Sequence, residues 1–400
     1  MLRNQCLSLV LACTNLLSRY SVVLLLALVS SLANGQWIED RAVDARLQRG
    51  IDYIYNIEFE KADEEFAAVI RQVPDHPAGY FFQAMTQWWR ILSNFDDESH
   101  DRQFYDSLEK VVEMCEQRLD KNENDVTALF FKGGAVGFRG RLRANRGTWL
   151  AAAKDGLVAL PAVRKAFRLE PENYDVLLGM GIYNYYADVI PSQYPLVKPL
   201  MLFLPSGDKK KGLEQLELAA QKARYAKTEA MYFLVQTYFS YEKQYVRALE
   251  LARELHTKYP RNPLFHRMYG RCYVSLGYWA EAFQIFTEVE ERFRNKQVGY
   301  DVYDGREAYY YIGRHYFLAG RLDDASQQLY QCDALSRKID KSSPSGFMSM
   351  ANLMIGMIYD LQKRRGSAQA QYQKVLDMKE YENTHEEARR YMEKPYTRER

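Results

Sequence analysis

The chain has 400 residues, of which 47% are hydrophobic and 26% charged, with 54 basic against 52 acidic side chains. That composition belongs to a globular chain with enough apolar material for a long continuous core, and it excludes a disordered polymer and a bundle of membrane spans. A net charge of +2 recommends neither nucleic acid nor an anionic membrane as the main partner.

The N-terminus is the exception to ordinary composition. Tyr20 to Leu32 (YSVVLLLALVSSL) is an apolar run, preceded by Arg3 and Arg19 and followed by small residues around Ala33 and Gly35. This pattern predicts a signal peptide over residues 1–35, with cleavage after Ala33 or Gly35, and an exported chain in the periplasm or outside the cell. The run is short of the roughly 20 residues that a span needs, and a retained N-terminal membrane anchor is the alternative. Removal of 1–35 takes two arginines and no acid, so the remaining chain is balanced in charge. Cys115, Cys272 and Cys332 are then its only cysteines, too few for a disulfide framework.

From Ala42 the sequence AVDARLQRGIDYIYNIEFEKADEEFAAVIRQVPDHP contains two amphipathic helical runs, with Gly50, Tyr53, Ala62, Phe66, Val69 and Pro74 at marked positions. The same spacing returns between Pro263 and Arg294 as Gly270, Tyr273, Ala282, Phe286 and Val289. It resembles the tetratricopeptide pattern, in which a glycine and an alanine lack bulk where two helices cross and large residues fill the space to the next hairpin. A lone hairpin cannot bury both faces, so neighbours are expected. Arg46 and Arg49 on the first helix suit a terminal hairpin with one face in water.

The second hairpin pairs Ala78 to Leu92, rich in aromatics, with Arg102 to Leu119. Trp88 and Trp89 point about 100° apart on a helix, so at most one of them faces a groove. The third hairpin opens with VTALFFKGGAVGFRGRLRANR, where Gly133, Gly134, Gly137 and Gly140 interrupt a helical pattern. Each glycine costs on the order of 1 kcal/mol against alanine. Close helix approach is one reason for them, and a basic stripe of Arg139, Arg143 and Arg146 on one face is the other.

Asn173 to Asp188 starts a fourth hairpin, interrupted by an insertion over 189–207 with prolines 191, 195, 199 and 205. Its apolar run Leu200 to Leu204 is either a plug packed on the helices or an exposed lip that offers a peripheral membrane contact. Hairpins at 228–259, 263–294, 306–337 and 349–379 follow. Gly270, Gly313 and Gly356 stand 43 residues apart, and the surplus over 34 is assigned to connections such as Asn295 to Asp304. The expected architecture is all-α: a right-handed tetratricopeptide-like α-solenoid of about eight hairpins over 36–394, a capping helix at His385 to Glu393, and a tail at 395–400.

The combination GMGIYNYYADVIP, the proline-rich insertion, GDKKKGLEQLELAA and KYPRNPLFHRMYGRCY resembles a narrower family. This is the family of tetratricopeptide repeat protein 39, the mitochondrial outer-membrane inclusion-clearance proteins and exported bacterial relatives. The resemblance covers about Phe130 to Phe293, and it implies a helical solenoid without an assigned reaction.

The six histidines are scattered, none three or four residues from another, and there is no nucleophile elbow, CxxC or dinucleotide loop. No metal, cofactor or catalytic residue is expected. The expected function is a non-catalytic scaffold that holds a protein segment or peptide in its concave groove. A structural scaffold in envelope assembly, docking through its outer face or the insertion, is the alternative. In the superfamily the fifth and ninth positions of a first helix face the groove. These are Tyr232 and Gln236, Arg267 and Arg271, and Tyr310 and Arg314. The arginines suit a carboxylate, to which guanidinium presents a planar fork. Alternatively, Glu229 and Glu307 neutralise them from neighbouring helices.

Overall fold

The computed structural model describes residues 38–193, 205–340 and 345–398. The signal peptide expected over 1–35 and the apolar run Leu200 to Leu204 lie outside them, and only the two ends of the 189–207 insertion are described.

The fold is all-α. The helices are α1 (Arg41–Tyr55), α2 (Phe59–Gln72), α3 (Pro77–Ser93), α4 (Asp101–Lys121), α5 (Val126–Asn145), α6 (Trp149–Leu169), α7 (Tyr174–Gln193) and α8 (Lys209–Lys222). They continue as α9 (Lys227–Gln236), α10 (Tyr245–Lys258), α11 (Pro263–Ser275), α12 (Trp279–Arg294), α13 (Val302–Leu318), α14 (Leu322–Ile339), α15 (Gly346–Leu361), α16 (Arg365–Leu376) and α17 (Thr384–Glu393). Among the described residues these make eight successive hairpins and one closing helix, and no strand. The residues group into two compact units. The first comprises the chain up to Gln48, Glu65–Phe82 and Tyr105–Gly212; the second comprises Arg49–Glu64, Gln83–Phe104 and the chain from Leu213.

In the second unit the 43-residue period is a packing period. A β-carbon on Gly270 would stand 2.8 Å from Phe286, one on Gly313 2.9 Å from Leu329, and one on Gly356 within contact of Tyr372. The three partners are themselves 43 residues apart, and Ala282, Ala325 and Ala368 repeat the same step, all fully or almost fully buried. Phe286 also stacks on Tyr311 of the following hairpin at 4.4 Å, so one ring serves both contacts. Overpacking at such a crossing costs about 1–3 kcal/mol.

The surplus over 34 residues is only partly in connections. Helix α13 starts at Val302, one turn before the motif's first position at Arg306, and α15 starts at Gly346. The extra turn of α13 is set by a capping box, in which the Asp301 side chain accepts from Asp304 and the Asp304 side chain accepts from the Asp301 amide at 2.8 Å. A second departure follows α9, which runs into a π turn at Thr237–Tyr241. Counting Tyr232 and Gln236 as positions five and nine puts position eight on Val235, thirteen residues before Ala248. The turn absorbs that extra residue, since Gly270 and Ala282 are twelve apart.

The turn end of the first hairpin is not in water. Within the second unit, Tyr259 donates to Asp52 at 2.6 Å, the Asn262 amide donates to the Tyr55 carbonyl at 2.8 Å, and Arg261 pairs with Glu58 at 3.2 Å. Tyr55, Trp89, Tyr232 and Phe265 form one buried aromatic cluster, with Trp89 5.0 Å from Tyr55 and 5.5 Å from both others. Both tryptophans are core residues, Trp88 against Phe104 at 5.7 Å. A chain of repeats that touched only its neighbours would make no contact across about 200 residues; aromatic burial here outweighs that rule.

Candidate functional site

The expected groove residues lie in the second unit. Asn262 caps α11 by accepting the amides of Leu264 and Phe265, and Pro263 occupies the first helical position, so Arg267 and Arg271 follow on one face. Arg271 forks onto Glu307 through Nε and Nη2. Arg267 donates Nη1 to Glu307 at 3.1 Å, and its Nε lies 2.6 Å from Asp304. Glu307 is completely buried, Asp304 nearly so, and the arginine side chains retain 17% and 30% of their exposure.

The electrostatics of this cluster follow from burial first and pairing second. Burial alone would raise the Glu307 carboxyl; Arg271 and then Arg267 reverse this and hold it below its ordinary value. Asp304 is not so compensated. Burial raises its carboxyl to about 7 against the attraction of Arg267, and Asp301 adds to the rise. Burial works against the charge of both arginines, and their carboxylates outweigh it, so both stay protonated more firmly than usual. Glu307 therefore neutralises these arginines, the second of the two expectations. Glu229 accepts from the Tyr55 hydroxyl at 3.1 Å.

Of the other four residues, Tyr310 and Tyr232 are each 3% exposed and belong to the core. The Tyr310 hydroxyl approaches Met350 sulfur at 3.5 Å, and the Tyr232 hydroxyl accepts from Gln236 at 2.6 Å. Their expected presentation to a groove is not what the fold does, because large rings at these positions fill the space between hairpins. Gln236 and Arg314 remain half-buried. Arg314 lies over the Trp279 ring at 4.7 Å, and it has no carboxylate in ion-pair contact among the described residues. Burial raises the Tyr311 hydroxyl, and the charges of Arg271 and Arg314 work against that rise. Asp304 was not among the expected site residues; the Asp301-to-Asp304 spacing at a helix start is the signal that could have found it.

In the first unit the basic stripe is an internal clamp. Arg139 reaches Asp155 at 2.8 Å and Glu109 at 2.5 Å, Arg143 reaches Asp155 at 2.7 Å, and the Asp155 side chain is 4% exposed. Arg146 ends α5, its amide on the Leu142 and Ala144 carbonyls. Two of the four glycines, Gly133 and Gly140, let α6 approach. A β-carbon on Gly133 would stand 2.6 Å from Val163, and one on Gly140 3.0 Å from Asp155. Gly137 has nothing within 4 Å and takes no part. Close approach and the basic stripe thus meet at Gly140, where the first delivers the carboxylate to the second.

Among the described residues no group of three or more His, Cys, Asp or Glu is placed to hold a metal ion. Cys115, Cys272 and Cys332 are free and buried, and burial pushes each thiol up to about 12. No helix among the described residues is long and apolar enough to cross a membrane.

No family model and no curated protein matches the chain. Among solved structures, Pseudomonas aeruginosa PilF is similar at 13% identity and a TM-score of 0.43 over 64% of this chain and 96% of its own. A human IFIT1 dimer with PPP-AAAA gives 13% and 0.42 over 89% and 86%, and yeast Tom70 gives 13% and 0.34 over 85% and 86%. Likenesses this shallow carry no argument about ligand or partner, and the helical-hairpin architecture stands on the chain's own period and packing.

Proposed function

We propose that the chain is an exported, non-catalytic binding scaffold that holds a protein segment with a carboxylate against the first helices of its sixth and seventh hairpins. The observation that carries this reading is Arg314, a half-buried guanidinium stacked on Trp279 with no ion-paired carboxylate among the described residues. Arg267 and Arg271 serve mainly to hold Glu307, and they lend the surface positive potential because the Asp304 carboxyl is only partly ionised near neutral pH. Arg314→Ala should weaken binding of an acidic or C-terminal peptide by at least tenfold with an unchanged melting midpoint. Unaltered binding by that variant would overturn the reading. Export is tested separately, by mass spectrometry of the mature N-terminus, expected near Asn34 or Gln36; an intact Met1 in the cytosol would remove it.

The structural-scaffold reading has one observation in its favour. Helix α6 exposes Leu150, Leu157 and Val158 at 68%, 45% and 46%, a stripe at helical spacing on the first unit. Photo-crosslinkers at Leu157 and at Arg314 separate the two, since partners captured only from Leu157 favour docking through the outer face.

A further inference from the structure

The stretch that follows α17, expected as a tail, is bound. Residues 395–398 run without helix or strand, and the Tyr396 amide donates to Asp360 Oδ2 at 2.9 Å. Asp360 is a prepared acceptor. Its side chain is closed to solvent and is already fixed by the Tyr372 hydroxyl at 2.8 Å and Arg365 at 2.9 Å. The Tyr396 ring packs on Phe317 at 6.1 Å and Tyr391 at 5.2 Å, against the core of the seventh and eighth hairpins. Arg398 lies over the Phe317 ring at 5.3 Å and donates to the Phe317 carbonyl. Phe317 and Asp360 sit in the last turns of α13 and α15, where the helix dipole is negative and a cation is favoured. The Tyr396 ring is half-buried, and the rest of the stretch is exposed.

We propose that the C-terminal ends of α13 and α15 form a docking surface for an extended peptide carrying an aromatic residue and, two positions later, an arginine, and that the chain's own Tyr396 and Arg398 fill it. The surface is distinct from Arg314 and does not depend on the function proposed there. Its features are those of extended-segment recognition: a backbone acceptor, an aromatic contact and a charge-matched helix end. Because the resident segment is tethered, it competes at high effective concentration, and a free partner binds strongly only when it is released.

The test uses the full chain carrying Tyr396→Ala and Arg398→Ala and a labelled, end-capped peptide KPYTRER. The variant should bind the peptide at least tenfold more tightly than the wild-type chain does, and a peptide with alanine for tyrosine should not bind. A variant that melts like wild type yet gains no affinity would overturn the proposal. Should the variant not fold, hydrogen exchange on the wild-type chain decides. Excess unlabelled KPYTRER should accelerate exchange of the Tyr396 amide, and unchanged exchange would mean that the stretch is a fixed part of the core.

Discussion

The two arginine clusters solve one problem in two ways. In each, a pair of arginines four residues apart closes on a carboxylate that the fold has removed from water. The first unit supplies Asp155 from the second helix of the same hairpin, and Arg139 keeps a second acid, Glu109, at its exposed edge. The second unit supplies Glu307 from the first helix of the next hairpin, with Asp304 as a second buried acid. The first clamp therefore shuts a hairpin, and the second fixes the register between hairpins. The arginines are exposed to similar degrees in the two clamps, so the difference lies in the second acid: Arg139 keeps Glu109 if Asp155 is lost, whereas Arg271 has only Glu307 in ion-pair contact among the described residues.

The comparison breaks most visibly at its acids. Glu307→Ala strips Arg271 of its fork and leaves that partly buried guanidinium with no carboxylate in ion-pair contact, which should cost about 3–5 kcal/mol of stability in urea unfolding. Asp155→Ala leaves Arg139 with Glu109 and Arg143 one-third exposed, and should cost about 1–3 kcal/mol. Equal losses would mean that the two clamps are equivalent after all.

Glycines sharpen the same contrast between hairpins that are shut tightly and places that are merely small. Gly270→Leu drives a side chain into Phe286 and Ile285 and should destabilise by about 1–3 kcal/mol. Gly137→Ala meets nothing and should stabilise α5 by up to about 1 kcal/mol through helix propensity alone. Thermal melts of the two variants should therefore shift in opposite directions.

The pH dependence separates the members of the second cluster. Asp304 has a folded value of about 7 against an ordinary 3.8, so the native state binds more protons between those values and stability falls as pH rises through that window. Burial lowers His266 to about 2 and His256 to about 4 from 6.5, so the unfolded chain binds more protons below 6.5 and their contribution is lost as pH falls. The two slopes oppose each other. Asp304→Asn removes the first, and between pH 4 and 6.5 stability should then climb with pH more steeply than in the wild-type chain. An identical slope would show that Asp304 titrates as an ordinary carboxylate.

What was legible in the sequence was whatever is written in spacing. Gly270, Gly313 and Gly356 announced their crossings because a side chain missing at a fixed period marks a place where a neighbouring helix comes close. Glu307 could be named as a partner because it sits on the adjacent first helix. Tyr232 and Tyr310 misled for the same reason, since a position number says which face a residue is on and not whether the next hairpin covers it. Contacts without a period were illegible. Tyr55 meets Glu229 across 174 residues, and Tyr396 lies in a short stretch with no pattern at all. Asp304 fell between the cases, hidden by an extra helical turn that lengthened the repeat.

The finest comparison is between turns of the same kind. Gly277, Gly320 and Lys363 stand 43 residues apart between the helices of successive hairpins, and all three are left-handed, with φ of 78°, 82° and 61°. The backbone bonds agree as well: the Gly320 amide donates to Phe317 and that of Lys363 to Asp360, at 3.1 and 2.9 Å. Only the side chain differs, and a side chain in this region costs roughly 1–2 kcal/mol by crowding its own carbonyl. Lys363 is exposed, so its removal sacrifices no packing. Lys363→Gly should therefore stabilise the eighth hairpin by up to about 1 kcal/mol, the strain relieved less the extra freedom that glycine gives the unfolded chain. Ile57 is the control, left-handed at 60° but 3% exposed, with its methyl group 3.1 Å from where a β-carbon on Gly299 would stand. Ile57→Gly trades the same strain for a buried side chain worth about 1.5–3 kcal/mol, so it should destabilise. If Lys363→Gly lowers the melting midpoint as Ile57→Gly does, the turn is held by its side chain and not by its backbone, and the likeness among the three turns is one of shape alone.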